Sequence, residues 1–222
     1  MNHPKIHFIA LCAILTIFCI VIVSTAGASE QGIVVITYSF DGKEIVSETE
    51  ISFEEINSTM TSVGDPGGVE LSFQGPTFKP DNLWDEDATL NVDNLKTRVI
   101  GVPVREILEY AGISEDIENI TFVADDGFSK KLPVENVFSV PDDQGEVILA
   151  YWNADEGLLP EESGYRIYFN APDGLYSNTD MKNTLPEEYW HFFMNTADNT
   201  AYPSAKGLSV AKVVEIHVQL SE

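Results

Sequence analysis

Arg98-Val-Ile-Gly-Val-Pro-Val-Arg-Glu-Ile-Leu-Glu-Tyr-Ala-Gly112 passes from a β-rich run directly into a helical one. Pro103 lacks an N–H and has φ preset near the helical value, so it suits the first helical turn, and Gly112 suits the residue after the last. Between them Val104, Ile107, Leu108 and Ala111 fall on one face, the stripe that a short helix buries against a sheet. A strand that hands over to a short packed helix is the sign of a mixed α+β domain.

Strands dominate outward from this point. Downstream, Asn119 to Ala124 and Phe128 to Leu132 flank Asp126-Gly127, a hairpin signal because both residues tolerate positive φ. Pro133 to Phe138 reads as a helical turn or two, and Val147 to Asn153 and Tyr165 to Asn170 as strands separated by the polar stretch Asp155 to Glu162. Thr184-Leu-Pro-Glu187 has capping-box spacing and predicts an aromatic helix over Glu187 to Asn195. In the terminal segment Val210, Val214, Ile216, Val218 and Leu220 are interleaved with Glu215, His217 and Gln219, the alternation of a half-buried strand.

Upstream, Ile33 to Phe40 and Lys43 to Ile51 flank Asp41-Gly42, which predicts a second hairpin. Ser52-Phe-Glu-Glu55 is another capping box, opening a helix toward Met60. Periodicity fails from Thr61 to Asn94, apart from a short strand over Val69 to Phe73. This stretch contains Gly64-Asp-Pro-Gly-Gly68 and an acidic run from Trp84 to Asn94, and reads as long surface loops of the kind that carry binding residues. The expected fold is mixed, strand-rich α+β with a few short helices and no internal repeat.

The N-terminus pairs a short polar stretch containing Lys5 with an uncharged apolar run from Phe8 to Val23 and small residues through Ala26-Gly27-Ala28. The run falls short of the roughly 20 residues that span a bilayer, so residues 1–28 read as a secretory signal and 29–222 as one exported domain. An uncleaved membrane tether is the alternative. The 222 residues carry 36 acidic and 12 basic side chains, a net charge of −24. That charge excludes nucleic acid and anionic lipid as partners and serves solubility; a membrane is approached only through an uncleaved N-terminus. Both cysteines, Cys12 and Cys19, lie in the signal, so the mature chain has no thiol for a disulfide, a nucleophile or a metal.

The order of Val99 to Gly112, Ile120-Thr-Phe-Val-Ala-Asp-Asp-Gly-Phe128, Ile148-Leu-Ala-Tyr151, Leu158-Leu-Pro160 and Arg166-Ile-Tyr-Phe169 resembles the sulfite-oxidase-like molybdopterin-binding domain, which includes periplasmic protein-repair reductases. The resemblance covers residues 98–170 and 207–218. It implies a sulfite-oxidase-like fold, a molybdenum-binding cysteine before the Gly-x-Pro turn, and a glycine followed by basic residues that contact the cofactor's phosphate. This chain departs at the first point, since Leu71 to Arg98 contains no cysteine, and aspartate or serine is no obvious substitute for a soft thiolate ligand. From Gly207, Lys212 keeps one basic position and Ser209 stands at another, while residues 171–205 carry an aromatic and polar insertion.

Other chemistry is sparse. His191 and His217 lack zinc-ligand spacing, and neither a Gly-x-Ser-x-Gly elbow nor a phosphate-cradling loop is present. Asp85, Asp87, Asn91 and Asp93 offer hard oxygens for calcium without the glycine and terminal glutamate of an EF-hand. Trp84, Tyr151, Trp152, Tyr189, Trp190, Phe192 and Phe193 divide between core packing and a pocket lining. Asn57-Ser-Thr59 and Asn119-Ile-Thr121 match the glycosylation sequon. No catalytic residue follows from these features.

The leading expectation is a secreted or extracytoplasmic domain that lacks molybdenum–cysteine catalysis and binds a small molecule or a protein through loops 64–97 and 171–206. One alternative is an active molybdopterin-dependent oxidoreductase with an atypical metal site, in which Arg98 and Lys212 face the cofactor phosphate. The other is a calcium- or carbohydrate-binding surface module. No cofactor is favoured by the residues; molybdopterin is the one implied by the resemblance.

Overall fold

The computed structural model describes residues 31–84, 94–114, 116–162 and 164–222. Strands β1 (Ile33–Tyr38) and β2 (Ile45–Ile51) form the first hairpin, and α1 (Phe53–Thr59) follows. Its capping box is complete: Glu55 N–H donates to Ser52 Oγ, and Glu55 Oε2 accepts from Ser52 N–H at 2.8 Å. Next come β3 (Val69–Phe73), β4 (Leu95–Pro103), α2 (Val104–Tyr110), β5 (Ile117–Ala124), β6 (Ser129–Pro133), α3 (Glu135–Phe138) and β7 (Glu146–Asn153). The chain continues through β8 (Gly157–Leu158), α4 (Leu159–Glu162), β9 (Arg166–Asn170), β10 (Leu175–Tyr176), α5 (Asn178–Thr184), β11 (Phe192–Asn195), β12 (Thr200–Pro203) and β13 (Val213–Leu220), with 3-10 turns at Glu187–Tyr189 and Ala205–Leu208.

The strands form a five-stranded sheet in the order β2-β1-β13-β5-β6 and a six-stranded sheet in the order β10-β3-β4-β7-β8, with β9 also on β7. The two ends of the described chain meet in the first of these, where β13 lies parallel to β1 and antiparallel to β5. Inward residues of both sheets, including Ile33, Val35, Phe73, Val99, Leu149, Tyr168 and Ile216, join Val104, Ile107 and Leu108 of α2 in one buried cluster. The helical stripe read from the sequence is therefore the face that α2 buries, and Pro103 stands immediately before the helix as the last residue of β4. The strand-rich α+β expectation describes the fold.

The expected aromatic helix over residues 187–195 is corrected by the structure. Only Glu187–Tyr189 makes a single 3-10 turn, and Phe192–Asn195 is extended and pairs with Thr200–Pro203 in a hairpin. Leu185 precedes Pro186 and is held extended, since the proline ring disfavours helical conformation in the residue before it, so no helix can begin at Thr184. Thr184 is instead the last residue of α5, with its hydroxyl donating back to the Asp180 carbonyl. The capping box of α5 uses Ser177 and Asp180, a pair not singled out in the sequence. The terminal strand begins at Val213 and not at Val210, because Lys212 adopts a positive φ of 57°.

Candidate functional site

The segment 171–206 is tied to the end of β3 by a buried amide network. Asn178 N–H donates to Gln74 Oε1 at 2.7 Å and its Nδ2 donates to the Gly75 carbonyl at 3.0 Å, while its Oδ1 accepts from Ala205 N–H at 2.7 Å. Gln74 N–H donates to the Tyr176 carbonyl, and Lys206 N–H donates to the Gln74 carbonyl. Three chain segments are thereby fixed at one end of the six-stranded sheet. Two clefts involve this part of the chain, the first beside β3 and β10 and the second at the edge of the five-stranded sheet. One, of about 290 Å³, is lined by Glu70, Asn94, Lys96 and Asp173–Leu175. The other, of about 460 Å³, opens where Glu188, Tyr189 and Trp190 pass beyond the edge of β6 and face Thr121, Ser129, Lys130 and Lys131.

The aromatic insertion divides as its packing requires. Trp190 donates its indole N–H to the Leu185 carbonyl at 2.9 Å and meets Trp84 edge-on at 4.9 Å. Phe192, Phe193 and Met194 remain exposed, and Phe78 packs edge-on against Phe193 at 5.7 Å. Tyr151 is buried, with its ring against Phe53.

The two residues singled out for a cofactor phosphate have other partners. Arg98, on β4, donates from Nη1 to the Gly67 carbonyl at 3.0 Å, bracing the 64–68 turn, whose Gly68 is packed against the Arg98 side chain and Trp152. Lys212 lies just before β13 with its ammonium 3.8 Å from Asp125. Arg98 belongs to the six-stranded sheet, whereas Lys212 leads into β13 of the five-stranded sheet. Ser209 donates its hydroxyl to the Ile167 carbonyl at 2.8 Å. The space that Gly207 leaves by lacking a side chain is filled by the His191 imidazole, so that a Cβ at 207 would overlap this ring.

These residues do not fit the cofactor that the resemblance implies. The sequence beyond Cys19 offers no thiolate, and among the described residues no three His, Cys, Asp or Glu side chains converge as a metal cluster. The two cations named for the cofactor's phosphate are held by the Gly67 carbonyl and the Asp125 carboxylate. The acidic run containing Asp85, Asp87, Asn91 and Asp93 and the expected signal over residues 1–28 lie outside the described residues.

His191 was not predicted as a site residue, and only its place between aromatics hinted at burial. Burial and, secondarily, the nearby Lys130 ammonium pull its pKa from the usual 6.5 down to about 4. An unfolded chain takes up this proton below about pH 6.5 while the folded ring refuses it until about pH 4, so the unfolded state binds more protons across that window. Stability therefore falls as pH drops from 6.5 toward 4 and this contribution levels off below. Urea unfolding at several pH values checks it: His191→Gln is expected to show a shallower fall than the unmodified chain, and equal slopes would refute the assignment.

No family model and no curated protein matches the chain. Among solved structures 23 chains match, including the crystal structure of the sulfane dehydrogenase SoxCD from Paracoccus pantotrophus, with 11% identity, a TM-score of 0.50 and 88% of this chain covered. The match spans 39% of that chain. At such identity the likeness shows the fold alone, the strand-rich α+β arrangement described above.

Proposed function

We propose that this chain is an exported, sulfite-oxidase-like domain that carries out no molybdenum–cysteine redox chemistry and binds a small molecule or protein partner through the loop-bearing end formed by residues 64–97 and 171–206. The observation that carries the reading is that both residues the resemblance sets toward the cofactor phosphate are engaged by the protein itself, Arg98 by the Gly67 carbonyl and Lys212 by the Asp125 carboxylate. The absence of any thiol after Cys19 supports it from the sequence side. Export rests on the apolar N-terminal segment and its Ala-Gly-Ala boundary. The cleft beside Asp173–Leu175 supplies concave surface at that end.

Elemental and pterin analysis tests this directly. The protein is purified, folded, from an export host shown to load a related molybdoenzyme. The expected result is no stoichiometric molybdenum, tungsten or pterin. Stoichiometric metal with pterin would overturn the reading and direct attention to an unusual ligand between Leu71 and Arg98.

A further inference from the structure

The outer face of the five-stranded sheet carries a groove that the loop-based reading leaves aside. The cleft of about 460 Å³ beyond β6 shares Thr121 and Lys131 with a second of about 230 Å³ that runs on across β5 and β13 to Tyr38 and Gly42. Strand register places the floor residues in line: Lys131 is opposite Thr121, Thr121 opposite His217, and His217 opposite Ile36. Three inter-strand spacings make this row about 14 Å long. Tyr38 stands at one end, 5.3 Å from the His217 ring, and Tyr189 and Trp190 wall the other.

The groove is bordered by two lysines, Lys130 and Lys131. Lys43, Lys96, Arg105, Arg166 and Lys212 each lie within ion-pair distance of a carboxylate. Lys130 and Lys131 have no such carboxylate among the described residues; Lys130 lies over the Phe128 ring, 5.5 Å from its centroid. Arg98, Lys182 and Lys206 likewise have no carboxylate at ion-pair distance among the described residues, but Lys130 and Lys131 line one cleft together. Lysine on an edge strand also discourages strand addition, but that role asks nothing of the Thr121 hydroxyl, the amides of Asn119 and Gln219 or the flanking rings. Glu188 lines the same groove and Glu215 lies 2.7 Å from Nε2 of the floor residue His217, so a densely charged polyanion would be repelled.

We propose that this groove binds a carboxylate-bearing saccharide of low charge density, a uronate oligomer. The lysines receive its carboxylates, the Thr121 hydroxyl pairs with its hydroxyls, and the aromatic rings at the two ends pack on its apolar ring faces, while the Asn119 and Gln219 amides bond each other and the Phe40 carbonyl and brace the floor. The site requires no calcium and uses none of the exposed Phe192, Phe193 and Met194. It stands independently of whether a pterin is bound elsewhere, because metal analysis addresses a different region of the fold.

The test is calorimetric titration of the purified protein with tri-galacturonate, beside the uncharged galactose trimer, a sulfated oligosaccharide of equal length and a short poly-glutamate. Saturable binding of tri-galacturonate is expected, weakened about tenfold by Lys131→Gln and by the uncharged trimer, in keeping with loss of one charge-assisted hydrogen bond. Lys131 is exposed, so the variant should retain the parent's melting temperature, and Tyr189→Ala supplies a second variant with an independent loss of affinity. Absence of saturation with tri-galacturonate, affinity unchanged in both variants, or equal or tighter binding of the sulfated ligand or poly-glutamate would each overturn the proposal.

Discussion

Asn178→Ala is expected to destabilise the chain by about 2–5 kcal/mol, because it strands two buried backbone groups at once. The Gly75 carbonyl loses the Nδ2 donor and the Ala205 amide loses the Oδ1 acceptor, in a site from which Asn178 is fully shielded from solvent. The Asn178 N–H bond to Gln74 survives, so the penalty comes from the side chain alone. Asn178→Asp separates the two roles: it keeps an acceptor for Ala205 but sets a carboxylate oxygen against the Gly75 carbonyl, so it should be destabilising too, and more so as pH rises and the buried acid is pressed to ionise. Denaturant unfolding measures both, and amide exchange at Ala205 should quicken in either variant. A loss below about 1 kcal/mol for Asn178→Ala would show that the network does not anchor the inserted segment.

Gly207→Ala should cost about 1–3 kcal/mol through overpacking, since the new Cβ falls on the His191 ring. Gly207 is not among the glycines at positive φ, so the backbone accepts an alanine and the whole penalty is steric. His191→Ala in the same chain removes the obstruction and should recover much of the loss. A double-mutant cycle therefore gives a large coupling of relieving sign. If Gly207→Ala is neutral, or if His191→Ala fails to rescue it, the imidazole does not occupy this space in solution.

These two experiments concern contacts that local pattern could not reveal. Both hairpins were legible because Asp41-Gly42 and Asp126-Gly127 place residues tolerant of positive φ between β-rich runs, and Gly42 and Gly127 adopt φ of 68° and 84°. Helices α1 and α2 were legible from a capping box and a proline-to-glycine frame. The 187–195 segment was misread because Thr184-Leu-Pro-Glu187 satisfies the capping-box spacing while Pro186 forbids Leu185 the helical conformation; extended pairing with residues 200–203 then prevailed over helical propensity. Among candidate site residues, Arg98 and Lys212 came from an aligned motif, which carries no information on the Gly67 carbonyl and the Asp125 carboxylate that engage them. His191, Asn178 and Lys131 gave no motif at all, since their roles depend on partners brought close only by the fold.

By itself, the sequence determined the charge balance, the confinement of both thiols to the N-terminal segment, the strand-rich α+β class and the short elements whose caps and turns lie within a few residues of each other. Those features follow from nearest-neighbour physics: dihedral preference, capping and side-chain alternation act over single turns. Only the tertiary structure decided that β13 runs parallel beside β1, that His191 closes over Gly207, that Asn178 joins Gln74 to Ala205, and that Lys131, Thr121 and His217 share one groove. Segments remote in the chain are brought together because burying the inward faces of both sheets in one core outweighs the cost of closing the loops between them. Which side chains then face each other is settled by strand register and packing.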